Sequence, residues 1–401
     1  MRNTQLVKII NYLFIFLVIN YSLLVNFVFH IDKTGYGLIF LSVLVLVINA
    51  KDFKTIQLSK PVVFWLIWCF FVVFNYAIHD HSVNPMNVLG LFRRVFIPLI
   101  TMTVVIKEYR HNDTGFLWLC AIAFLFYTAI GYYFDRGILY RVEGDENVLG
   151  NTYAITVSLG LFFFVLLQKQ GKLKMVIWIA LAAVIMLVLA MSGTRKAFGV
   201  GIILLAFWAL SMINRRKIGS WVVVVAFFIV GLYGYNYLIE NTFMGERLEM
   251  IEEQGDIYLP PDAPKALTIF GDRAPHYYYG WQMFKKHPLL GVGLVQSRVG
   301  QGRIFVYIHS EYMVQLTDNG IVGFMLFVLL YYWVGKKLLK KLKKHASLSL
   351  CCIGGFVALL FMELTAWVWD FSPVFIVLGV LIAYGKYDYE DEKDTLCSVE
   401  L

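Results

Sequence analysis

The chain has 401 residues, of which 59% are hydrophobic and only 15% are charged, and this excludes an ordinary soluble domain, in which roughly 25% of residues are charged. Continuous apolar runs of about 20 residues recur along the whole length, as in helices that cross a membrane. They exclude a transmembrane barrel, whose strands alternate apolar and polar residues. The net charge of +8 gathers in short loops, so it is better explained by membrane topology than by nucleic-acid binding.

The apolar runs predict an all-α integral membrane protein with about twelve transmembrane helices, because only helices satisfy their own backbone in lipid. The predicted spans are residues 6–29, 36–50, 62–78, 88–106, 116–134, 148–167, 175–191, 196–213, 220–239, 309–334, 347–366 and 371–384.

Lysine and arginine are concentrated in alternate loops, which predicts the orientation of the protein. Both termini fall on the basic side, so we expect both to be cytoplasmic. The densest of these clusters follows the tenth span and contains Lys336, Lys337, Lys340, Lys341, Lys343 and Lys344.

One predicted external loop, residues 240–308 between spans nine and ten, is much longer than a simple connection. We expect short interfacial helices in it, including one at 274–286 that is rich in aromatic residues. The glycines of Gly291-Val292-Gly293 favour a turn over a phosphate-binding loop, which is the other interpretation. The predicted divisions are therefore 1–239 for spans one to nine, 240–308 for the loop, 309–385 for spans ten to twelve, and 386–401 for an acidic cytoplasmic tail.

His309 lies where this polar loop meets span ten. A histidine titrates near neutral pH, and a helix N-terminus favours its neutral form, which accepts a proton. His309 is therefore a candidate catalytic base, and the alternative is an interfacial residue that only caps the helix. Asp318-Asn319-Gly320 follows within the same span and is expected to break its helix.

Several arginines fall on the predicted external side, against the general charge rule. Guanidinium groups bind phosphate through two parallel hydrogen bonds and stay charged, so a lipid-linked diphosphate is the natural ligand. The alternative for each arginine is contact with lipid headgroups or pairing with a nearby acid. The candidates are Arg195 and Arg273, with Arg141, Arg298 and Arg303 as possible additions; Glu311 is a further candidate, to orient His309 or to pair with an arginine.

Short motifs follow one another over about residues 190–325. In order they are Ser192-Gly193-Thr194-Arg195, Asp272-Arg273, His287-Pro288-Leu289-Leu290-Gly291-Val292-Gly293, His309-Ser310-Glu311-Tyr312 and Asp318-Asn319-Gly320-Ile321-Val322-Gly323. Their order and spacing resemble the O-antigen ligase and O-antigen polymerase superfamily of membrane glycosyltransferases. The layout of about twelve spans with one large external loop extends the resemblance over the chain.

The resemblance implies a metal-independent inverting glycosyltransferase that needs no cofactor. Its donor would be a glycan on undecaprenyl diphosphate, held by Arg195 and Arg273, and His309 would act on the acceptor hydroxyl. Ser310 stands where many members of the family have asparagine. The implied location is the bacterial inner membrane, with the active site on the periplasmic or external face.

Three functions are compatible with these residues. The first is an O-antigen ligase, whose acceptor is lipid A-core, and the chain length with its single large loop favours it. The second is a polymerase that joins O-antigen, capsule or exopolysaccharide repeat units to a growing glycan. A more distant alternative is a flippase for lipid-linked oligosaccharides, which predicts repeat symmetry and charges in mid-span that are scarce here.

Overall fold

A computed structural model gives the architecture of the protein. The structure describes residues 2–24, 35–50, 59–80, 88–134, 148–192, 194–213, 225, 229, 263–267, 273–301, 304–365 and 372–386.

Among the described residues up to residue 213 there are eight helices. They are α1 (Arg2–Leu23), α2 (Gly35–Ile48), α3 (Lys60–Ile78), α4 (Val88–His111), α5 (Asp113–Phe134), α6 (Val148–Lys169), α7 (Met175–Met191) and α8 (Arg195–Met212).

Four more helices and one hairpin are described in the rest of the chain. They are α9 (Ala274–Lys286), β1 (Arg298–Gln301), β2 (Ile304–Tyr307), α10 (Glu311–Lys341), α11 (Ala346–Thr365) and α12 (Ser372–Lys386). The strands are antiparallel, with Arg298 opposite Tyr307. The sequence predicted α9 with the same bounds but did not predict the two strands.

The prediction of a helical multi-pass membrane protein is confirmed in this coarse form. Among the described residues, six helices are long and apolar enough to cross a membrane, and four shorter helices are also apolar. Each predicted span except the ninth coincides with one helix. The ninth, 220–239, lies outside the described residues apart from two positions, and so do residues 240–262, 268–272 and 302–303 of the predicted external loop.

Two helices form the centre of the bundle. Every described side chain from 153 to 167 in α6 is buried, and so is every one from 373 to 384 in α12. Both helices are apolar around their whole circumference, as expected of helices enclosed by others. α12 packs chiefly on α4, whereas α6 packs on α5, α7 and α8. The site described below is built around α8, α9, α10 and α11.

α10 is broken near its start, as the sequence predicted. Gly320 has φ 61° and ψ −168°, which lies outside the helical region and is open to glycine at little cost. The break separates a short helical piece, 311–319, from the longer apolar piece, 321–341. The short piece is therefore free to lie at its own angle and to present its first residues to the loop before it.

A turn of the predicted external loop packs directly against this break. The backbone N–H groups of Val292 and Gly293 donate to the carbonyl oxygens of Thr317 and Asp318, at 2.9 Å in each case. The N–H of Gly291 donates to its own turn. Because these amides are all used within the protein, the structure supports the turn interpretation and not the phosphate-binding one.

Two buried polar side chains fix this contact. Asp318 accepts hydrogen bonds from the backbone N–H groups of Val295 (2.7 Å) and Ser297 (2.9 Å). The amide of Asn75, on α3, donates to the carbonyl oxygens of Leu290 (2.9 Å) and Asp318 (3.0 Å). The loop, the broken helix and α3 thus form one rigid unit immediately beyond His309.

Candidate functional site

His309 is the middle residue of the three-residue connection between β2 and α10. Ile308 and Ser310, on either side of it, are almost completely buried, whereas His309 itself is half-buried. Ser310 occupies the N-cap position of α10. The structure therefore places the histidine just before the cap, so its imidazole remains available for other contacts.

The imidazole of His309 lies against that of His276 on α9. The ring centroids are 5.1 Å apart and the ring planes are inclined by 39°. Arg273, the N-cap residue of α9, precedes His276 by three positions, a spacing that places both side chains on one face of the helix. α9 therefore brings an arginine and a second histidine to His309; the two imidazoles are called the histidine pair below.

The environment of His309 disfavours its protonated form. Burial is the largest effect, and the electrostatic influence of Arg273, of the neighbouring His276 and of Lys196 adds to it, so that its pKa falls from 6.5 to about 3. At neutral pH the ring is therefore uncharged, with one nitrogen free to accept a proton. Its named charged neighbours are all basic, which makes this region attractive to an anion.

α9 is held closely against the segment that contains His309. A Cβ atom at Gly280 would lie 2.8 Å from Cγ of Met313 and 2.9 Å from Cδ1 of Ile308, so glycine permits this approach. Tyr277 donates a hydrogen bond of 2.6 Å to the carbonyl of Leu364 at the end of α11. It also bonds to the side chain of Ser310, while burial raises the pKa of its phenol. These contacts fix the distance between the two imidazoles.

Arg195 is the first residue of α8, with Thr194 at the N-cap. Ser192, at the end of α7, is buried; its hydroxyl donates to the carbonyl of Leu189 at 2.7 Å and accepts from the N–H of Thr194 at 3.3 Å. This turn fixes where α8 begins. The next residue, Lys196, acts electrostatically on His309. The first residues of two helices, α8 and α9, therefore include basic side chains that act on His309.

Not every predicted residue is in this cluster. Arg273 and His309 come together, and Arg195 lies beside the Lys196 that reaches the histidine. Arg298 lies in β1, where only its backbone is described. Arg141 and Arg303 lie outside the described residues. Their roles stay predictions.

Glu311 lies in a different environment from His309, although only one residue separates them. Its side chain is 1% exposed and accepts a 2.8 Å hydrogen bond from Gln315 one turn later. Gln315 in turn accepts from Asn319 at 2.9 Å. Glu363, on α11, is also buried, accepts a hydrogen bond from the hydroxyl of Tyr331 and lies close enough to Glu311 to act on it. Glu311, Glu363 and Tyr331 are called the acidic cluster below.

An apolar groove of about 550 Å³ runs between α10 and α11. It begins at Tyr312, three residues after His309, and reaches Lys336 and Leu339 near the basic end of α10. Its lining is almost wholly aromatic and aliphatic, including Phe327, Tyr331, Tyr332, Phe356 and Leu360. The groove therefore runs from the neighbourhood of the site along α10 towards its basic end.

Three residues of this region were not predicted from the sequence. His276 was within the predicted helix 274–286, and its spacing from Arg273 could have identified it. Lys196 follows a candidate arginine and could have been grouped with it. No local sequence pattern indicated the role of Asn75, because its hydrogen-bond partners are more than 200 residues away in the chain.

A comparison with protein families identifies a match in the same part of the chain. Residues 180–328 match the family model described as O-Antigen ligase. The matched segment contains Arg195, Arg273, the histidine pair and the break at Gly320. The chain matches no curated protein. The resemblance stated from the motifs is thereby confirmed: residues 180–328 belong to the O-antigen ligase and polymerase superfamily.

Proposed function

We propose that this multi-pass membrane protein, whose central segment belongs to the O-antigen ligase and polymerase superfamily, is a metal-independent inverting glycosyltransferase. Its donor is a glycan carried on undecaprenyl diphosphate. It works at the periplasmic face of the bacterial inner membrane, with both termini in the cytoplasm. The observation that carries the proposal is a neutral, half-buried His309 beside Arg273 and Lys196, close to an apolar groove.

His309 is the general base of this reaction. A base must be unprotonated and reachable by the hydroxyl that it deprotonates. Burial and the positive charges around His309 keep it neutral, and its half-buried ring is still accessible. It takes the proton of the acceptor hydroxyl as the oxygen attacks C1 of the donor sugar. Attack on the face opposite the departing diphosphate inverts the anomeric centre.

Arg195 and Arg273 bind the donor diphosphate. Negative charge grows on the bridging oxygen as the C1–O bond breaks, and fixed cations near that oxygen lower the barrier. Each arginine stands at the start of a helix, where backbone N–H groups point toward an anion. Since the diphosphate is a good leaving group, the reaction requires no nucleotide, metal or cofactor.

The groove between α10 and α11 receives the polyprenyl tail. A tail of this kind is apolar and branched, and the aromatic lining of the groove suits it. Tyr312 at one end of the groove lies on the first turn after His309, so a tail in the groove leaves its diphosphate near the basic residues.

The acceptor distinguishes a ligase from a polymerase. We favour the ligase, with lipid A-core as acceptor, because the chain has one compact large loop between its ninth and tenth spans. The polymerase uses the same groups with a growing glycan as acceptor. Both predict the same His309 chemistry.

Reconstitution of the purified full-length protein in liposomes tests this proposal. The liposomes contain a glycan on undecaprenyl diphosphate and either lipid A-core or a second molecule of lipid-linked repeat unit. Glycosylated lipid A-core identifies a ligase, and a lengthened lipid-linked glycan identifies a polymerase. Movement of the intact donor across the bilayer without either product would instead establish a flippase and overturn the proposal.

The membrane orientation is tested separately with reporter fusions. We expect a fusion after Lys344, in the basic loop that follows α10, to report the cytoplasm. A periplasmic reading there would place His309 on the cytoplasmic face and contradict the proposed location.

A further inference from the structure

His276 has no role in the reaction described so far, yet its ring lies directly against that of the proposed base. The 5.1 Å separation of the centroids allows a nitrogen of one imidazole to approach a nitrogen of the other to hydrogen-bonding distance. Gly280 and Tyr277, on the same helix, hold α9 against the segment of His309. The contact is therefore part of the built structure of the site.

We infer that His276 receives the proton which His309 takes from the acceptor hydroxyl, so that the two imidazoles act in series. The inference rests on the proposed glycosyl transfer and adds a second catalytic residue to it. It follows from three features of the site: the charges around His309, the chemistry of its neighbours and the position of His276 relative to Arg273.

The first feature is that His309 is a poor place to leave a proton. It is surrounded by the positive side chains of Arg273 and Lys196 and is removed from water over much of its surface. An imidazolium formed there during the reaction is unstable, and a neighbouring acceptor lowers its free energy by taking the proton.

The second feature is that His276 is the neighbour able to take it. Arginine and protonated lysine have only donors, so Arg273 and Lys196 cannot accept a proton. A neutral imidazole has one accepting nitrogen. The carboxylate nearest to His309 in sequence, Glu311, is buried and bonds to Gln315.

The third feature is the face of α9 on which His276 lies. Arg273 and His276 share that face because three positions separate them. If Arg273 binds the donor diphosphate, a protonated His276 stands on the side of the departing group. The negative charge of that group then stabilises the imidazolium of His276.

The acceptor oxygen forms a bond to C1, and the C1–O bond to the diphosphate breaks with its electron pair on the leaving oxygen. The acceptor proton passes to one nitrogen of His309, and the proton on its other nitrogen passes to His276. The diphosphate leaves with one additional negative charge, and His276 later releases its proton to external water.

The test uses the reconstituted assay above with His276→Ala, His276→Gln and His287→Ala. His287, at the end of α9, has an exposed side chain and serves as the matched histidine control. We expect His276→Ala and His276→Gln both to lower kcat by about 10- to 100-fold with little change in donor KM, since a proton-transfer step is lost. Glutamine keeps the size and the hydrogen bond of histidine but cannot carry the proton. We expect His287→Ala to match wild type.

Chemical rescue separates proton transfer from packing. We expect added imidazoles of similar size to restore the His276→Ala rate in the order of their basicity. Rescue that follows size alone, or normal activity of His276→Gln, would show that His276 only positions His309 and would overturn the inference. An inactive wild type would overturn the proposed function itself, whereas an active wild type with active His276 variants overturns this inference alone. His276→Gln, the more conservative change, keeps the test valid if His276→Ala does not fold.

Discussion

His309 and Glu311 are separated by one residue, yet their side chains lie in opposite electrostatic environments. At His309 the site is half-buried and basic, and its imidazole meets a second imidazole and two cationic side chains. In the acidic cluster, Glu311 and Glu363 are almost fully buried, and their oxygens accept hydrogen bonds from Gln315 and Tyr331. The direction in which α10 begins produces the difference, since Glu311 turns inward as His309 remains at the edge.

Of these two environments, the one around His309 is the better suited to proton transfer with a substrate. A group that exchanges protons with a substrate must stay reachable and must lack a strong competing partner. Buried carboxylates that accept hydrogen bonds from neighbouring side chains inside the bundle are suited to holding helices together. We therefore expect substitutions at the basic region to alter catalysis, and substitutions around the acidic cluster and the broken helix to alter stability.

The largest expected effect is that of His309→Ala on glycan transfer. Loss of the general base lowers the rate by about 10²–10⁴-fold, while the protein still inserts and folds because the side chain is half-buried. Product formation in liposomes measures the rate, and elution volume with melting temperature in detergent reports the fold. A His309→Ala protein with full activity would remove the basic region from the mechanism.

The next effect is that of Arg195→Lys and Arg273→Lys. Lysine keeps the charge but loses the two parallel hydrogen bonds to phosphate, so we expect donor KM to rise about tenfold in each variant. Lys285→Arg, at an exposed position of α9, is the control and is expected to match wild type. Unchanged donor KM in both arginine variants would mean that these side chains only contact headgroups.

A substitution in the turn that packs against the broken helix α10 should lower the stability of the protein. Gly291→Ala would place a Cβ atom 2.5 Å from the backbone of Asp318 at a residue with φ +72°, so we expect a clear loss of melting temperature. Gly171→Ala is the matched control, because Gly171 has φ +69° but open space around it. Backbone strain of about 1–2 kcal/mol is common to both, and the clash adds to it at Gly291 alone. If Gly291→Ala and Gly171→Ala had equal melting temperatures, the turn would not be packed on α10 as described.

A smaller effect is expected for Glu363→Gln. Glutamine still accepts the hydrogen bond from Tyr331, and it removes one of two neighbouring carboxyl groups. We expect transfer to change by less than about threefold, or roughly 0.7 kcal/mol in the activation free energy. A loss as large as that of His309→Ala would place the acidic cluster in the catalytic machinery and end the contrast between the two regions.

The smallest expected effect is that of pH on the charge of His309 in the absence of donor. An unperturbed imidazole passes from about 90% neutral at pH 7.5 to about 10% neutral at pH 5.5. Because its pKa is lowered to about 3, His309 should stay neutral over this interval and become protonated only near that value. Histidine NMR, assigned by comparison with His309→Ala, measures this. Protonation of His309 near pH 6.5 would show that neither burial nor the surrounding cations disfavour its charged form.

Local patterns predicted much of this architecture. The helix at 274–286 followed from its aromatic residues and the His287-Pro288 stop, and the break in α10 followed from Asp318-Asn319-Gly320. The ladder of Glu311, Gln315 and Asn319 is also local, since its members are four residues apart.

The remaining features depend on contacts between distant parts of the chain. The donation from Asn75 to Leu290 joins residues 215 positions apart, and apolar periodicity contains no information about such a partner. The His276–His309 contact likewise exists only when α9 packs on α10. The hairpin of β1 and β2 was missed because strands of four residues are too short to show an alternating pattern.

The groove between α10 and α11 has a consequence for how the donor arrives. If the tail occupies that groove, the donor reaches the protein by two-dimensional diffusion within one leaflet, without crossing bulk water. The quantity that sets its supply is then the number of donor molecules per lipid, and diluting the liposomes in buffer leaves that quantity unchanged. The membrane confines the donor to the surface on which the enzyme moves. A small total number of donor molecules can therefore be enough to supply the enzyme.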